Sequence, residues 1–286
     1  MHFLLFLFCA FFLDLAAEKK KYNFCVCALF KNESRNIREW IEYHRLIGVD
    51  HFYLYENSAN DGFMKVLRPY INRKLVTLIP WPDNIEKEEG ENLFKWSLST
   101  QVPAYENAIV LHAKKEAEWL VFLDIDEFIL PVEGTMTELL EQYRDYSELE
   151  MDTEFFEAAR STTPTKNLVI ESVDITKPPK VQLAECVKKS IFKPEKIIGS
   201  QWAPYRCLVG DQKQSLQLDK NIVQVNRYLN RNKRTIETKR KLYIDQRNTK
   251  SSDVNEILNS GYDIEDQQRV IYRFVPEVMR RLSAQY

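Results

Sequence analysis

Three carboxylates crowd into the middle of an apolar run. WLVFLDIDEFILP, Trp119 to Pro131, carries Asp124, Asp126 and Glu127. An ionised carboxylate left alone in an apolar interior is very costly, so the folded chain must answer these charges with solvent, buried partners or a metal ion. Read as one strand, the run points Asp124 and Asp126 to the same side. Two carboxylates aimed at one spot repel each other. A hard divalent cation, Mn2+ or Mg2+, turns that repulsion into binding and is held by one or two carboxylates together with water and phosphate oxygens. A nucleoside diphosphate group would supply such oxygens, and the metal would neutralise charge developing on a leaving phosphate. The plainer reading is that Asp124 caps the next turn and Asp126 is solvated. A D-x-D tripeptide alone does not separate the two.

The elements that must position these acids show as alternating strand and helix signals over residues 22–131. Tyr22 to Phe30 has strand composition, and Ile37, Trp40, Ile41 and His44 fall on one helical face, with Asn32 or Ser34 as cap and Gly48 as stop. His51 to Ser58 is a second strand, a short helix follows and ends near Pro69, and Lys74 to Trp81 is a third strand. After a charged loop, Pro82 to Asn92, a helix is expected over Gln101 to Glu118 and the fourth strand over Trp119 to Pro131. Such repeats imply right-handed crossovers and a mostly parallel sheet, with ligands outside the carboxyl ends of the strands. Three strands end in polar groups at that edge: Asn32-Glu33, Glu56-Asn57 and the acidic triplet. In the second half, TMTELLEQYRDY reads as a helix, NLVIESVDI, VKKSIFKP and Ile222 to Leu229 as strands, and Asp266 to Leu282 as a helical segment interrupted by Pro276.

Bulk properties narrow the classes. With 40 basic and 42 acidic residues the net charge is −2, which gives no footprint for nucleic-acid binding. Seven glycines make glycine-rich phosphate loops unlikely company for this chemistry. Phe3 to Ala17 is apolar except for Asp14, too short to span a bilayer comfortably, and ends in small residues before Glu18-Lys19-Lys20-Lys21. The expectation is a signal peptide or short signal-anchor over residues 1–17, with secretory-pathway or cell-envelope localisation and membrane association through the N-terminus. A buried first helix is the other reading. Without Cys9 four cysteines remain. Cys25 and Cys27 share one face of a strand, and Cys186 with Cys207 is a possible disulfide. All four histidines lie at or before position 112, so a Cys/His zinc site is not expected. His44 and His112 fit structural roles, and the basic stretch Arg227 to Arg247 fits a solvated face, a membrane surface or an acidic glycan.

The ordered combination CALFKNESRNIREWIEYHRLIGVDHFYLYENSANDGFMKVLRPY, then Gln101 and AYENA, then WLVFLDIDEF resembles the family 92 glycosyltransferases from about Cys25 to Pro131. It reappears more loosely as KKSIFKPEKI, VQVNRYLNRNKR and RVIYRFVPEVMRRL. The resemblance implies a GT-A (Rossmann-like) α/β fold: a mostly parallel sheet flanked by helices, with additional strands and helices in the C-terminal half. It implies one domain over 22–286, its nucleotide-sugar-binding half 22–131 and its acceptor half 132–286. It further implies metal-dependent transfer of a sugar from a nucleotide-sugar donor, UDP-linked, to a glycan or lipid-linked acceptor. Asp124 and Asp126 match the metal motif and Glu127 its third acid. Asn32, Glu33, Glu56, Asn57, Asp61, Asp124 and Lys189 match donor-binding positions, and Arg227, where the chain departs from the family, is a further donor-binding candidate. The family has histidines where this chain has Arg227 and Tyr205. An arginine can bind diphosphate but cannot ligate a metal. An inverting reaction needs a carboxylate base, for which Asp152, Glu171 and Asp211 are the candidates. The alternatives are a catalytically inactive glycan-binding relative of the same fold and a metal-dependent phosphohydrolase, which would want more acidic and histidine ligands.

Overall fold

The computed structural model describes residues 19–82, 97–157, 168–171, 188–200, 207–210, 214–229 and 270–284. The apolar segment 1–17, most of the 82–92 loop, Asp211, Cys186 and residues 230–247 of the basic stretch lie outside these residues, as does the proposed Cys186–Cys207 pair.

Strand β1 (Tyr22–Phe30) is buried on both faces from Phe24 onward. That suits the middle of a parallel sheet covered by helices on both sides. Phe24, Val26, Ala28 and Phe30 pack on the face of helix α1 (Ile37–Leu46). Cys25, Cys27 and Leu29 pack on the opposite face, against helical residues 97–116, which mix α and π turns. Both cysteines are free and buried, and burial holds their thiols well above the ordinary range.

Strands β2 (His51–Glu56), β3 (Val76–Pro80) and β4 (Ala117–Phe122) run parallel with β1 in the spatial order β3-β2-β1-β4. This is the order of one half of a doubly wound α/β sheet. All four carboxyl ends therefore lie on one edge. The second half of the chain extends the same sheet: β8 (Lys189–Phe192) runs antiparallel beside β4, then β6 (Glu148–Met151), then β11 (Ser215–Gln217). A second, three-stranded sheet has β12 (Val223–Leu229) at its centre, between β5 (Glu127–Pro131) and β7 (Thr153–Glu157). A hairpin of β9 (Ile197–Ser200) and β10 (Cys207–Val209) completes the described strands.

Four expectations are corrected. The run Trp119 to Pro131 is not one strand. β4 belongs to the large sheet and β5 to the small one, so Asp124 and Asp126 sit in the turn between them and the alternation of a strand does not govern their directions. The helix expected to stop near Pro69 is α2 (Phe63–Asn72) and runs through the proline. Lys65, whose carbonyl would have taken the missing bond, is exposed, so water can serve it. The described part of NLVIESVDI is a 3-10 turn, Val169–Glu171, whose first N–H groups are taken by the Glu39 carboxylate: Val169 at 2.8 Å and Ile170 at 3.2 Å. The interruption expected at Pro276 falls at Arg273-Phe274, between helical residues 270–272 and the last helix (Val275–Ser283), and Pro276 itself lies in the first turn of that helix, where its missing N–H is harmless. That helix is α4 here, after α3 (Met136–Gln142), which starts from a capping box of Thr135 and Glu138.

Candidate active site

β4 delivers the chain to the sheet edge as Leu123-Asp124-Ile125-Asp126. The Glu127 N–H donates to the Asp124 carbonyl at 3.1 Å and closes a four-residue turn. Glu127 also folds its carboxylate back, accepting the Asp124 N–H at 2.8 Å on Oε2. Ile125 is buried, whereas the Asp124 and Asp126 side chains are 20% and 21% exposed. The turn therefore presents two carboxylates at its open side and keeps the third inside.

The internal partners come from elements distant in sequence. β12 lies antiparallel to β5 with Arg227 opposite Glu127, and the Tyr228 N–H donates to the Asp126 carbonyl at 2.9 Å. That register delivers the Arg227 guanidinium into the turn. Its Nη1 donates to Glu127 Oε1 at 3.0 Å, its Nη2 donates to Asp124 Oδ2 at 2.7 Å, and Nη2 stands 3.6 Å from Asp126 Oδ1. Lys189, the first residue of β8, enters from the neighbouring strand of the large sheet, its Nζ 2.7 Å from Glu127 Oε2. Glu127 and Lys189 are fully buried, and Arg227 is 2% exposed. Burial pushes the Glu127 carboxyl up and the Lys189 ammonium down, towards their neutral forms. The charges of Lys189 and Arg227 oppose the first shift, and that of Glu127 opposes the second. The three acids and two bases together leave one formal negative charge.

Side chains of α1 fix this arrangement from behind. Among the described residues, β5 has a strand, β12, on one edge only. On the other, the Trp40 indole N–H donates to the Glu127 carbonyl at 2.8 Å and the Tyr43 hydroxyl donates to the Ile129 carbonyl at 2.8 Å. The Ile129 N–H donates to His44 Nε2 at 3.4 Å. His44 Nδ1 in turn donates to the Trp40 carbonyl at 2.8 Å, so the ring is neutral, and burial lowers its pKa to about 3. Three side chains thus stand in for a missing neighbouring strand, satisfying backbone groups that would be costly to bury alone. Sequence periodicity marks Trp40 and His44 as core-facing and contains no signal for this backbone role.

The other expected positions fall at the same edge and are knit into its loops. Asn32, at φ 56°, accepts the Asn60 N–H at 2.9 Å, and Asp61 accepts the Ser34 N–H at 2.7 Å. These two bonds tie the loop after β1 to the loop after β2. Glu33 accepts from Asn36 Nδ2 at 3.0 Å, and Glu56 accepts the Ala59 N–H. Asn57 is buried and donates to the Trp81 carbonyl at 2.9 Å. Asp152 directly follows Met151, the residue of β6 paired with Lys189, and its carbonyl accepts the Val225 N–H at 2.9 Å, which puts it on the edge that carries Arg227. Glu171 instead closes its own turn, accepting the Leu168 N–H at 3.0 Å, with Tyr272 beside it. Helical residues 97–116 add a neighbour from the AYENA segment, to which the sequence assigns no role. Tyr105 stacks on Phe122 at 4.2 Å, receives a hydrogen bond from Gln101 at 3.2 Å and is close enough to Asp124 for that charge to help burial raise its pKa.

Whether these residues fit a divalent ion is decided by Arg227. The position between Asp124 and Asp126 is taken by a guanidinium nitrogen. A doubly charged ion about 4 Å from that group would meet a repulsion of about 8 kcal/mol at an effective dielectric constant near 20. As arranged, the residues do not fit Mn2+ or Mg2+.

A parallel β3-β2-β1-β4 sheet with an acidic turn at the carboxyl end of its fourth strand, extended by an antiparallel β8, places the chain among α/β proteins of the GT-A class. The chain belongs to glycosyltransferase family 92, whose sequence profile matches residues 20–262. A family 92 protein of Oryza sativa subsp. japonica is 32% identical over 181 residues, covering 62% of this chain and 28% of the relative. A galactan β-1,4-galactosyltransferase of Arabidopsis thaliana is 29% identical over 140 residues, 47% of this chain and 25% of the relative. The chain thus spans about a quarter of the length of these two relatives. Among solved structures, S. aureus TarS 1-349 in complex with UDP is similar at 12% identity and a TM-score of 0.39, covering 92% of this chain and 75% of that one.

Proposed function

We propose that this chain transfers a sugar from a nucleotide-sugar donor, UDP-linked, to a hydroxyl of a glycan or lipid-linked acceptor. The observation that carries the reading is the acidic turn Asp124–Glu127 at the carboxyl edge of a parallel sheet, with Arg227 and Lys189 built into it. In such sheets that edge is where nucleotides bind, and family membership points to sugar transfer. The loops after β1 and β2, tied by Asn32 and Asp61, are the walls for base and ribose. Asp152, at the same edge and partly exposed, is the carboxylate best placed to take a proton from the acceptor hydroxyl. The apolar segment before Glu18 would route the chain to the secretory pathway or hold it at a membrane. Nothing in the charge balance calls for nucleic acid.

The test is a panel of radiolabelled UDP-sugars with glycan and lipid-linked acceptors, wild type against Arg227→Gln in EDTA. We expect donor consumption by the wild type and a loss of about 10²-fold in the variant, the scale of removing one charge-stabilising group. No donor consumption with any sugar, or equal rates in both proteins, would refute the proposal. A second reading, nucleotide or glycan binding without transfer, has one observation in its favour: Arg227 is already engaged by the acids. UDP binding without consumption of any donor would select it.

A further inference from the structure

We propose that Arg227 is the resident cation of the acidic turn, filling the place between Asp124 and Asp126 that a divalent ion would take, so that this chain binds a nucleoside diphosphate without metal. The inference rests on the nucleotide-donor reading above and adds how the donor's charge is met.

Three observations support it. The first is position: one guanidinium nitrogen is 2.7 Å from Asp124 and 3.6 Å from Asp126, and the other is 3.0 Å from Glu127, so a single group addresses all three acids of the turn. The second is that the backbone fixes this position. Arg227 is paired with Glu127 in the β12–β5 ladder, and its neighbour Tyr228 holds the Asp126 carbonyl. Withdrawing the guanidinium to admit an ion would leave Glu127, in a fully buried setting, with only Lys189 as a charged partner beside the Asp124 N–H. The third is charge. Arg227 and Lys189 cancel two of the three acids, which removes most of the repulsion that otherwise calls for a metal. The partly exposed side of the cluster is formed by the Asp124 and Asp126 carboxylates, so a diphosphate arriving there would have to compete with Asp124 for the planar fork of the guanidinium.

The experiment uses the full chain, UDP as probe and Mn2+ as the metal. UDP affinity is measured by calorimetry in EDTA and again in millimolar Mn2+, and Mn2+ binding is measured separately by electron paramagnetic resonance without nucleotide. We expect UDP to bind in EDTA with an affinity within about twofold of that in Mn2+, and no tightly bound Mn2+. Arg227→Gln should gain a Mn2+ site, whereas Arg227→Lys, which keeps the charge, should not. The wild-type comparison needs no variant and stands even if either substitution prevents folding. UDP binding that tightens by about tenfold or more with Mn2+, or a wild-type Mn2+ site lost on Asp126→Asn, would overturn the inference and leave the proposed function standing. No UDP binding under either condition would overturn both.

Discussion

Glu127 is the residue on which the acidic turn is built. It holds Lys189 at 2.7 Å and Arg227 at 3.0 Å, and its carboxylate also takes the Asp124 N–H, so one side chain shapes the turn and pairs with two buried cations. Breaking a buried pair costs far more than the pair itself contributes, because the surviving charge is stranded. Glu127→Ala should therefore lower stability by about 3–5 kcal/mol, measured by urea unfolding. A loss under about 1 kcal/mol, the range of a surface ion pair, would show that the cluster is solvated. The three acids were plain in the sequence, but their partners were not: Lys189 and Arg227 lie 62 and 100 positions after Glu127, and no local pattern pairs residues so far apart. Arg227 was legible as a cation suited to diphosphate. Its engagement with the acids required the β12–β5 register.

At the scale of elements, α1 acts both as a packing helix and as a substitute strand edge for β5. The Ile37, Trp40, Ile41 and His44 spacing gave the helix and its buried face correctly, because a 3.6-residue period is a local signal. The boundaries of β1 were equally clear, since both of its faces are apolar. The split of residues 119–131 was not: apolar residues flank the acids on both sides, and only the change of sheet separates β4 from β5. The α1 clamp makes a pH-dependent contribution. His44 has a pKa of about 3 when folded, against an ordinary 6.5, and His51, held by the Lys74 carbonyl and Thr77, about 4. Both are lowered by burial, so between those values and 6.5 the unfolded chain binds protons that the folded chain does not. Stability from these two groups is full above pH 6.5 and falls as pH drops. Between pH 7 and 5.5 the loss should be about 2 kcal/mol, read from urea unfolding at each pH. A flat profile across that window would show that neither ring is held neutral.

Across the whole molecule, the second half of the chain completes the first. β8 brings Lys189 to the β4 edge, β12 brings Arg227, and α4 packs back on α1, where Arg281 lies 3.5 Å from the buried Glu42 that also holds Arg45 and the Tyr70 hydroxyl. The α/β class and the edge at which the acidic turn lies could be read from the alternating pattern, because topology follows from element order. The small β5-β12-β7 sheet could not, because its strands are recruited from three separate stretches. The claim that most needs testing is that this edge receives a nucleotide diphosphate. A crystal structure of the chain grown with UDP in EDTA addresses it directly. The account predicts the diphosphate against the Asp124–Glu127 turn within hydrogen-bond reach of Arg227, and the uridine between the loops after β1 and β2. UDP bound at another face of the protein would contradict it.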